Sequence, residues 1–567
     1  MENKAYIKVI LPLKLGWEPF YALPSSEGGD SATAVGDRVL LKFAGRHYLG
    51  VVSAVDADPS AEGVNESSIK EIYGVDSAKD RISATEIEFW RRLSDYYMCT
   101  VGEVYKAAYP SVKDELVRPR KTEEAYVPMA ETYPAAAAVL RECHDSRGRK
   151  DCQCPLESDI SRQQGGKPVL LQCGNAEDAL LATCVAHRHR NILWLVPEVK
   201  FNKALEKKVR SVAGSRLIVW GSNITSAKKR EAARRVRSGE PYLILGTRSS
   251  LFLPHRDLGL VIVQEEQEAS YKQTSPAPRY NGRDAAVILA SIHGAGVVLQ
   301  SGTPSFETLH NVRTGKYELA PSALPEQGSA ECLIIDTSAE RRKNGMVGEL
   351  SKKLLEAVGQ SQCPAFYKPR RAMFPKMEEL LPQIGRQCGP SAFVTEDIVE
   401  NPLPEACDTL VLMGADSMLG KQDFRADERL IQTVRQAAAQ CQGCLRTMVV
   451  QTKEASHPVF EALASGNVDA LLAERHQFGY PPFTRIVDIC IRDEFKERAQ
   501  RLSRKLLGSV NNIGIGQAMP MGDERIRIVL AKDRLLTGRK ATLQSLVDDF
   551  EKENKYAGHI YFDVDPQ

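Results

Sequence analysis

The stretch from Gly246 to Asp284 reads GTRSSLFLP, then HRDLGLVIV, then QEEQEASYKQTSPAPRYNGRD. Its centre, Gly259-Leu260-Val261-Ile262-Val263, is short, apolar and β-branched, and an acidic turn follows it. A strand buried on both faces reads this way, and it delivers the turn to the carboxyl edge of a parallel sheet. Similar runs recur between helical stretches: Val169-Leu170-Leu171, Ile192 to Val196, Leu217 to Trp220, Leu243-Ile244-Leu245 and Val297-Val298-Leu299. The alternation predicts a doubly wound α/β lobe. Ligands of such lobes bind beyond the carboxyl ends of the strands. Four distinctive words fall there: Val196-Pro197-Glu198, Gly246 to Ser250, Gln264 to Gln267 and Ser301 to Ser305.

The chain has 567 residues, so roughly three to five domains are expected. No apolar run approaches the ~20 residues of a membrane helix, and Met1 to Gly16 lacks a signal-peptide pattern, so a cytoplasmic protein is expected. The 75 Lys+Arg nearly balance the 73 Asp+Glu, so any nucleic-acid surface must be a local basic patch. The 13 cysteines are odd in number and scattered, which argues against a secreted disulfide framework.

Residues 1–112 read as a β-rich module. Tyr6 to Leu11 is strand-like, and Val35 to Phe43 and Arg46 to Val52 flank a turn at Gly45, as a hairpin would. Residues 113–165 read as a linker or an eroded winged helix, with a short helix candidate over 135–143 and a weak Cys152-Gln153-Cys154 motif. Residues 166–325 hold the first α/β lobe. A second lobe over 326–475 starts near Leu333 to Asp336 and includes strands at Phe366-Tyr367, Leu410 to Met413 and Met448 to Val450. Residues 476–567 form a C-terminal α+β domain.

Several words together resemble the primosomal protein N′ (PriA) family, superfamily 2 helicases that restart stalled replication forks. There the opening stretch typically runs GTRSALF, VDEEHDSSYKQ and RYHARD. The resemblance extends to VGDRV and GVV in the N-terminal module, to Asp416, Asp423-Phe424-Arg425 and Glu428-Arg429, to Gly479 to Phe483, and to Asp563 to Pro566. It implies a multidomain α/β protein: an N-terminal 3′-end DNA-binding domain, two RecA-like parallel-sheet lobes and a C-terminal domain. It also implies ATP, Mg²⁺ and zinc as cofactors, with forked and single-stranded DNA, primosome proteins and single-strand-binding protein as partners.

The sequence departs from the family where ATP chemistry sits. A P-loop wraps phosphates with glycine-rich backbone N–H groups, and its Lys reaches the terminal phosphates. Here the strand Val169-Leu170-Leu171 leads into Gln172-Cys173-Gly174-Asn175-Ala176-Glu177-Asp178, a shorter loop with one glycine and no lysine; Gly166-Lys167 precedes the strand and is followed by Pro168. The metal-holding Asp of the family is Gln264 and the His is Gln267, although Glu265 keeps the position of the water-activating base. The arginine-finger positions carry Gln440 and Gly443, which cannot stabilise charge on a transferring phosphoryl group. The eight-cysteine zinc segment that follows an NRRGY-like strand end, here Lys368 to Phe374, is missing, so the second lobe is truncated. Cys441-x-x-Cys444 has half-site spacing, with Cys407 the other cysteine close in sequence, and these read as ordinary core residues. No bound cofactor is expected.

The DNA-facing words survive better. Resemblance places Arg248 and Ser249 on a phosphate contact and makes Tyr271, Lys272, Arg279 and Tyr280 an aromatic-rich loop that senses single strands. Aromatics interleaved with cations suit sequence-tolerant single-strand binding. In the N-terminal module Phe20 or Tyr21 would stack on a terminal base and Lys42 and Arg46 would hold its phosphate. The family's Phe-Asp-Tyr turn is here Trp17-Glu18-Pro19-Phe20-Tyr21. The run Lys228-Lys229-Arg230 with Arg234, Arg235 and Arg237 reads equally as a solvated face or a basic patch. The expectation is a DNA-binding fork-restart protein with a degenerate ATPase site. Its rivals are an active ATP-dependent 3′→5′ helicase and a structural protein that no longer binds DNA.

Overall fold

The computed structural model describes residues 5–24, 33–77, 79–110, 127–131, 166–174, 176–222, 224–320, 330–389, 392–420, 423–441, 444–554 and 559–567. The expected helix over 135–143 and the Cys152/Cys154 motif lie outside these residues, as does nearly all of the expected linker.

The N-terminal strands are β1 (Tyr6–Ile10), β2 (Phe20–Ala22), β3 (Arg38–Phe43), β4 (Arg46–Ala54) and β5 (Gly74–Val75). They pair antiparallel in the order β2-β1-β4-β3-β5. The β3–β4 hairpin turns on Ala44 (φ 45°) and Gly45 (φ 82°). Two positive φ values in a two-residue loop match the twist of the flanking strands. Two helices, Ala84–Tyr97 and Val101–Ala108, close the module, each started by a capping box, Ser83 with Glu86 and Thr100 with Glu103.

The first lobe is a parallel sheet in the order β12-β6-β11-β10-β7-β9-β8. Its strands are β6 (Val169–Gln172), β7 (Asn191–Leu195), β8 (Leu217–Trp220), β9 (Leu243–Gly246), β10 (Leu258–Val263), β11 (Gly296–Ser301) and β12 (Glu318–Leu319). The central β10, flanked by β7 and β11, is the apolar LGLVIV run that precedes the acidic turn. Covered by helices on both faces, it needs no polar alternation.

The second lobe orders β13 (Glu331–Asp336), β19 (Thr447–Thr452), β18 (Thr409–Leu412), β16 (Pro364–Tyr367) and β17 (Phe393–Thr395) into another parallel sheet. Beside it lies a small hairpin of β14 (Met346–Val347) and β15 (Leu350–Ser351). The C-terminal domain alternates β20 (Thr484–Arg492), the helix Lys496–Ile513, β21 (Gln517–Pro520), β22 (Arg525–Ala531), the helix Leu536–Glu553 and β23 (His559–Val564). With antiparallel order β21-β22-β20-β23, this is a ferredoxin-like β-α-β-β-α-β unit. The chain is thus a multidomain α/β protein with an antiparallel N-terminal module, two parallel lobes and a C-terminal α+β unit. Among the described residues no helix is long and apolar enough to cross a membrane.

Candidate nucleic-acid interface

Lys42 is the penultimate residue of β3 and Arg46 opens β4, so both sit beside the Ala44-Gly45 turn, and both side chains are exposed. Lys42 faces His47 across the hairpin, and the His47 ring stacks on Tyr73 with centroids 5.2 Å apart and 17° between planes. Arg46 pairs with Phe43, whose ring lies 6.2 Å from that of Trp17. Trp17 and Tyr73 are each 59% exposed. The turn therefore carries two cations between two solvent-facing aromatic groups, and such rings are platforms for bases.

Phe20 and Tyr21 do not join them. The pairing of β2 with β1 packs Phe20 under the Lys8 ammonium and buries Tyr21, whose hydroxyl donates to the Lys42 carbonyl at 3.0 Å. Burial pushes the Tyr21 hydroxyl above its ordinary pKa. The expectation that either ring stacks on a terminal base is corrected: Trp17, three residues earlier in the same turn, is the open ring. Glu18 is tied to Ser53 and Arg91. Tyr73 was missed because it lies on a connecting segment with no motif around it. Its pairing with His47 emerges only when Tyr73 N–H donates to the Leu40 carbonyl, bringing that segment beside β3.

The aromatic-rich loop of the first lobe is folded inward. Tyr271 and Tyr280 are each 1% exposed, and Lys272 and Arg279 are buried. The Tyr271 hydroxyl donates to the Gln264 carbonyl at 2.7 Å. Lys272 Nζ donates to the carbonyls of Arg279 (2.8 Å) and Val564 (2.6 Å), while the Arg279 guanidinium lies 3.5 Å from the Tyr561 ring centroid. Arg248 donates to the carbonyls of Ser270 and Lys272 and accepts at its own carbonyl from Tyr280. Lys272 and Arg279 are therefore a latch that pins the first lobe to the C-terminal domain, while Arg248, Tyr271 and Tyr280 hold the loop within the first lobe. The expected open strand path along them is not present in this arrangement, because Tyr271, Lys272, Arg279 and Tyr280 are buried and Arg248 is bonded to backbone carbonyls. Ser249 remains exposed and accepts from Trp220 Nε1 at 3.0 Å. On the basic helix Ser226–Ser238, Arg234 pairs with Glu231 and Arg237 with Asp80, leaving Lys228 exposed.

At the carboxyl edge of the first lobe, Gln300 of β11 ties the loop after β6 to the acidic turn after β10. Its side chain donates to the Cys173 carbonyl at 2.6 Å and accepts from the Glu265 N–H at 2.9 Å. A Cβ added to Gly302 would meet the Gly174 Cα at 2.8 Å, so the loop after β6 lies directly on the Ser301-Gly302-Thr303 turn. The following helix, Glu177–Ala186, has no side-chain cap and carries Glu177 and Asp178 in its first turn, on the positive end of its dipole. Gln264 accepts from Trp194 Nε1 at 3.1 Å. Glu265 sits at φ 50°, in the left-handed region, and its carboxylate accepts from Gln267 at 2.7 Å. Gln440 is bonded to the Ile398 carbonyl and the Leu403 N–H. These side chains are committed to holding the fold around a cleft of about 1630 Å³ between the lobes.

Comparison with known proteins agrees with this layout. Residues 8–110 match the family described as the PriA 3′ DNA-binding domain. The replication restart protein PriA of Rickettsia felis is 27% identical over 363 residues, covering 62% of this chain and 51% of that protein. The PriA of Haemophilus influenzae is 25% identical over 484 residues, covering 67% of this chain and 66% of that protein. The PriA of Treponema pallidum is 24% identical over 588 residues, covering 87% and 88%. The chain thus spans about half the length of the Rickettsia relative it matches. In its N-terminal module and along much of its remaining length, the chain is similar to the replication restart proteins PriA.

Proposed function

We propose that this chain is a DNA-binding protein of replication restart that recognises branched DNA without hydrolysing ATP. The observation that carries the reading is the match of residues 8–110 to a 3′ DNA-binding domain, together with the cation-and-aromatic turn that this domain exposes. Its partners are forked and single-stranded DNA, then primosome and single-strand-binding proteins, in the cytoplasm. Inactivity toward ATP is supported by the lysine-free loop after β6, the commitment of Gln264 to Trp194 and the commitment of Gln440 to backbone groups. Glu265 keeps a carboxylate at the base position, but a base needs a bound phosphate and metal before it has a water to activate. The chain carries no zinc on this reading.

Titrating forks with and without a 3′ end at the junction tests DNA recognition. Tighter binding to the fork that has the end is expected; equal, weak and salt-insensitive binding to both would overturn the proposal. Calorimetric titration with Mg·ATP is expected to give no heat at millimolar nucleotide, and saturable micromolar binding would restore the helicase alternative.

A further inference from the structure

The tip of the β3–β4 hairpin carries a cation and an aromatic platform on each of its two faces. Side chains alternate between the faces of a strand, and residues paired across an antiparallel ladder share a face. Lys42 pairs with His47, so these two lie on one face; Phe43 pairs with Arg46, so these lie on the other. Burial alternates in step: Leu41 and Phe43 pack in the core cluster of the module, whereas Leu40 and Lys42 are exposed. Each face gains one open ring from outside the hairpin. Tyr73 stacks on His47, the cross-strand partner of Lys42, and Trp17 meets Phe43, the partner of Arg46. Both rings are held from behind. The Tyr73 N–H donates to the Leu40 carbonyl at 2.7 Å, and Glu18, next to Trp17, accepts from Ser53 and from Arg91 at 3.1 Å. Between the faces lies only the two-residue turn Ala44-Gly45, kept tight by positive φ at both positions. A Cβ added to Gly45 would meet nothing within 4 Å, so the tip stands clear of the other described residues.

We propose that this tip is a wedge that sits in the branch of a fork and takes one arm on each face. Lys42 with the His47–Tyr73 stack would hold the first unpaired nucleotides of one arm, and Arg46 with Trp17 and Phe43 those of the other. The inference rests on the reading of the chain as a fork-binding protein and states how the branch itself is read. An exposed ring stacks on a base that has left its partner, and a cation beside it answers the phosphate of the same strand. An intact duplex keeps its bases inside the helix, out of reach of both platforms. A single strand lying along one face leaves the other ring and cation unused, and would have to fold back round the tip to reach them. Two strands that part at a junction reach both faces without bending back. Engaging both at once makes the second contact intramolecular, so the two weak platforms add into a preference for the branch.

The test is a cycle between protein rings and DNA bases on a fork with two single-stranded arms. An abasic site replaces the first unpaired nucleotide of one arm, then of the other, and affinities are measured for the wild type, Trp17→Ala and Tyr73→Ala. Both rings are 59% exposed, so neither substitution opens the core. On the intact fork each variant is expected to bind about fivefold or more weakly. On the fork that is abasic in one arm, one variant should lose its effect and the other keep it; with the second arm abasic the roles should reverse. Photocrosslinking from 5-iodouracil at the same two positions should attach one arm to Trp17 and the other to Tyr73 or His47. Coupling of both rings to the same arm would overturn the wedge while leaving fork binding by the module in place. Variants that bind the intact fork as tightly as the wild type would overturn it too. A wild type that binds forks no better than linear duplex would overturn the underlying reading, and the wedge with it.

Discussion

His255 is fully buried, with Nε2 2.9 Å from the Ser250 carbonyl and Nδ1 3.3 Å from the Tyr242 hydroxyl. Burial, assisted by His293, pushes its pKa down to about 3 against the opposing pull of the Ser250 carbonyl. The unfolded chain therefore binds the proton that the folded chain refuses between pH 6.5 and about 3. This contribution to stability is complete above pH 6.5 and is lost as pH falls toward 3, with a slope of up to ~1.4 kcal/mol per pH unit. Urea unfolding followed between pH 4.5 and 7.5 should show a pH slope about one proton shallower in His255→Gln than in the wild type. Tyr271 makes a contrasting case. Removing its hydroxyl in Tyr271→Phe should cost ~1 kcal/mol of lobe stability, and Tyr271→Ala ~3–5 kcal/mol, with fork affinity unchanged per folded molecule. Loss of DNA binding without loss of stability would return this ring to the nucleic acid. The sequence marks Tyr271 and Lys272 as special, yet cannot tell an aromatic that stacks on a base from one buried beside a lysine that bonds the last strand. That choice depends on Val564, almost 300 residues away in the chain.

The β3–β4 hairpin shows the opposite outcome. Its strands, turn and exposed Lys42 and Arg46 were all legible, because alternation and Gly45 are local signals. Six of the seven parallel strands of the first lobe were legible for a similar reason, each an apolar run bounded by polar turns; the edge strand β12, Glu318–Leu319, has no such run. The His47–Tyr73 stack and the position of Trp17 were not, since they arise from contacts between segments that do not pair in register with each other. If the hairpin is the phosphate-binding element, Lys42→Ala and Arg46→Ala should each flatten the log–log salt dependence of fork binding by about one unit. Trp17→Ala should cost ~1–3 kcal/mol of single-strand affinity while leaving that slope nearly unchanged. Titrations at several salt concentrations separate the two effects. A uniform loss in all three variants without any change of slope would place the DNA elsewhere on the module.

The lobes are joined through buried charges that no local pattern announces. Arg425 donates to Glu307 across the lobes at 2.6 Å, backed by Arg475 on Glu428 (3.0 Å) within the second lobe and by Arg283 on Glu266 (3.0 Å) and Ser305 (2.7 Å) within the first. The Phe306 N–H donates to Glu428 at 2.9 Å, and the Phe306 ring, 4.3 Å from the Arg475 guanidinium, enters the core of the second lobe. Burial alone would raise the pKa of Glu307, but Arg425 and Arg283 outweigh it and hold the carboxyl well below its usual range. Its contribution is therefore present above the ordinary carboxylate pKa and lost as acid protonates it. A nucleotide-driven motor needs an interlobe contact that opens and closes cheaply; this one carries charges that are costly to strand. Arg425→Met should destabilise the protein by ~3–5 kcal/mol because it leaves Glu307 charged and unpaired. Adding Glu307→Leu should restore most of that loss, since two apolar side chains remove both desolvation costs together. Small-angle scattering of the wild type should not change on addition of Mg·ATP, whereas Arg425→Met should broaden the distance distribution as the lobes separate. A wild-type chain that contracts with nucleotide would mean that the ion pairs are a resting contact in a working cycle rather than a permanent joint.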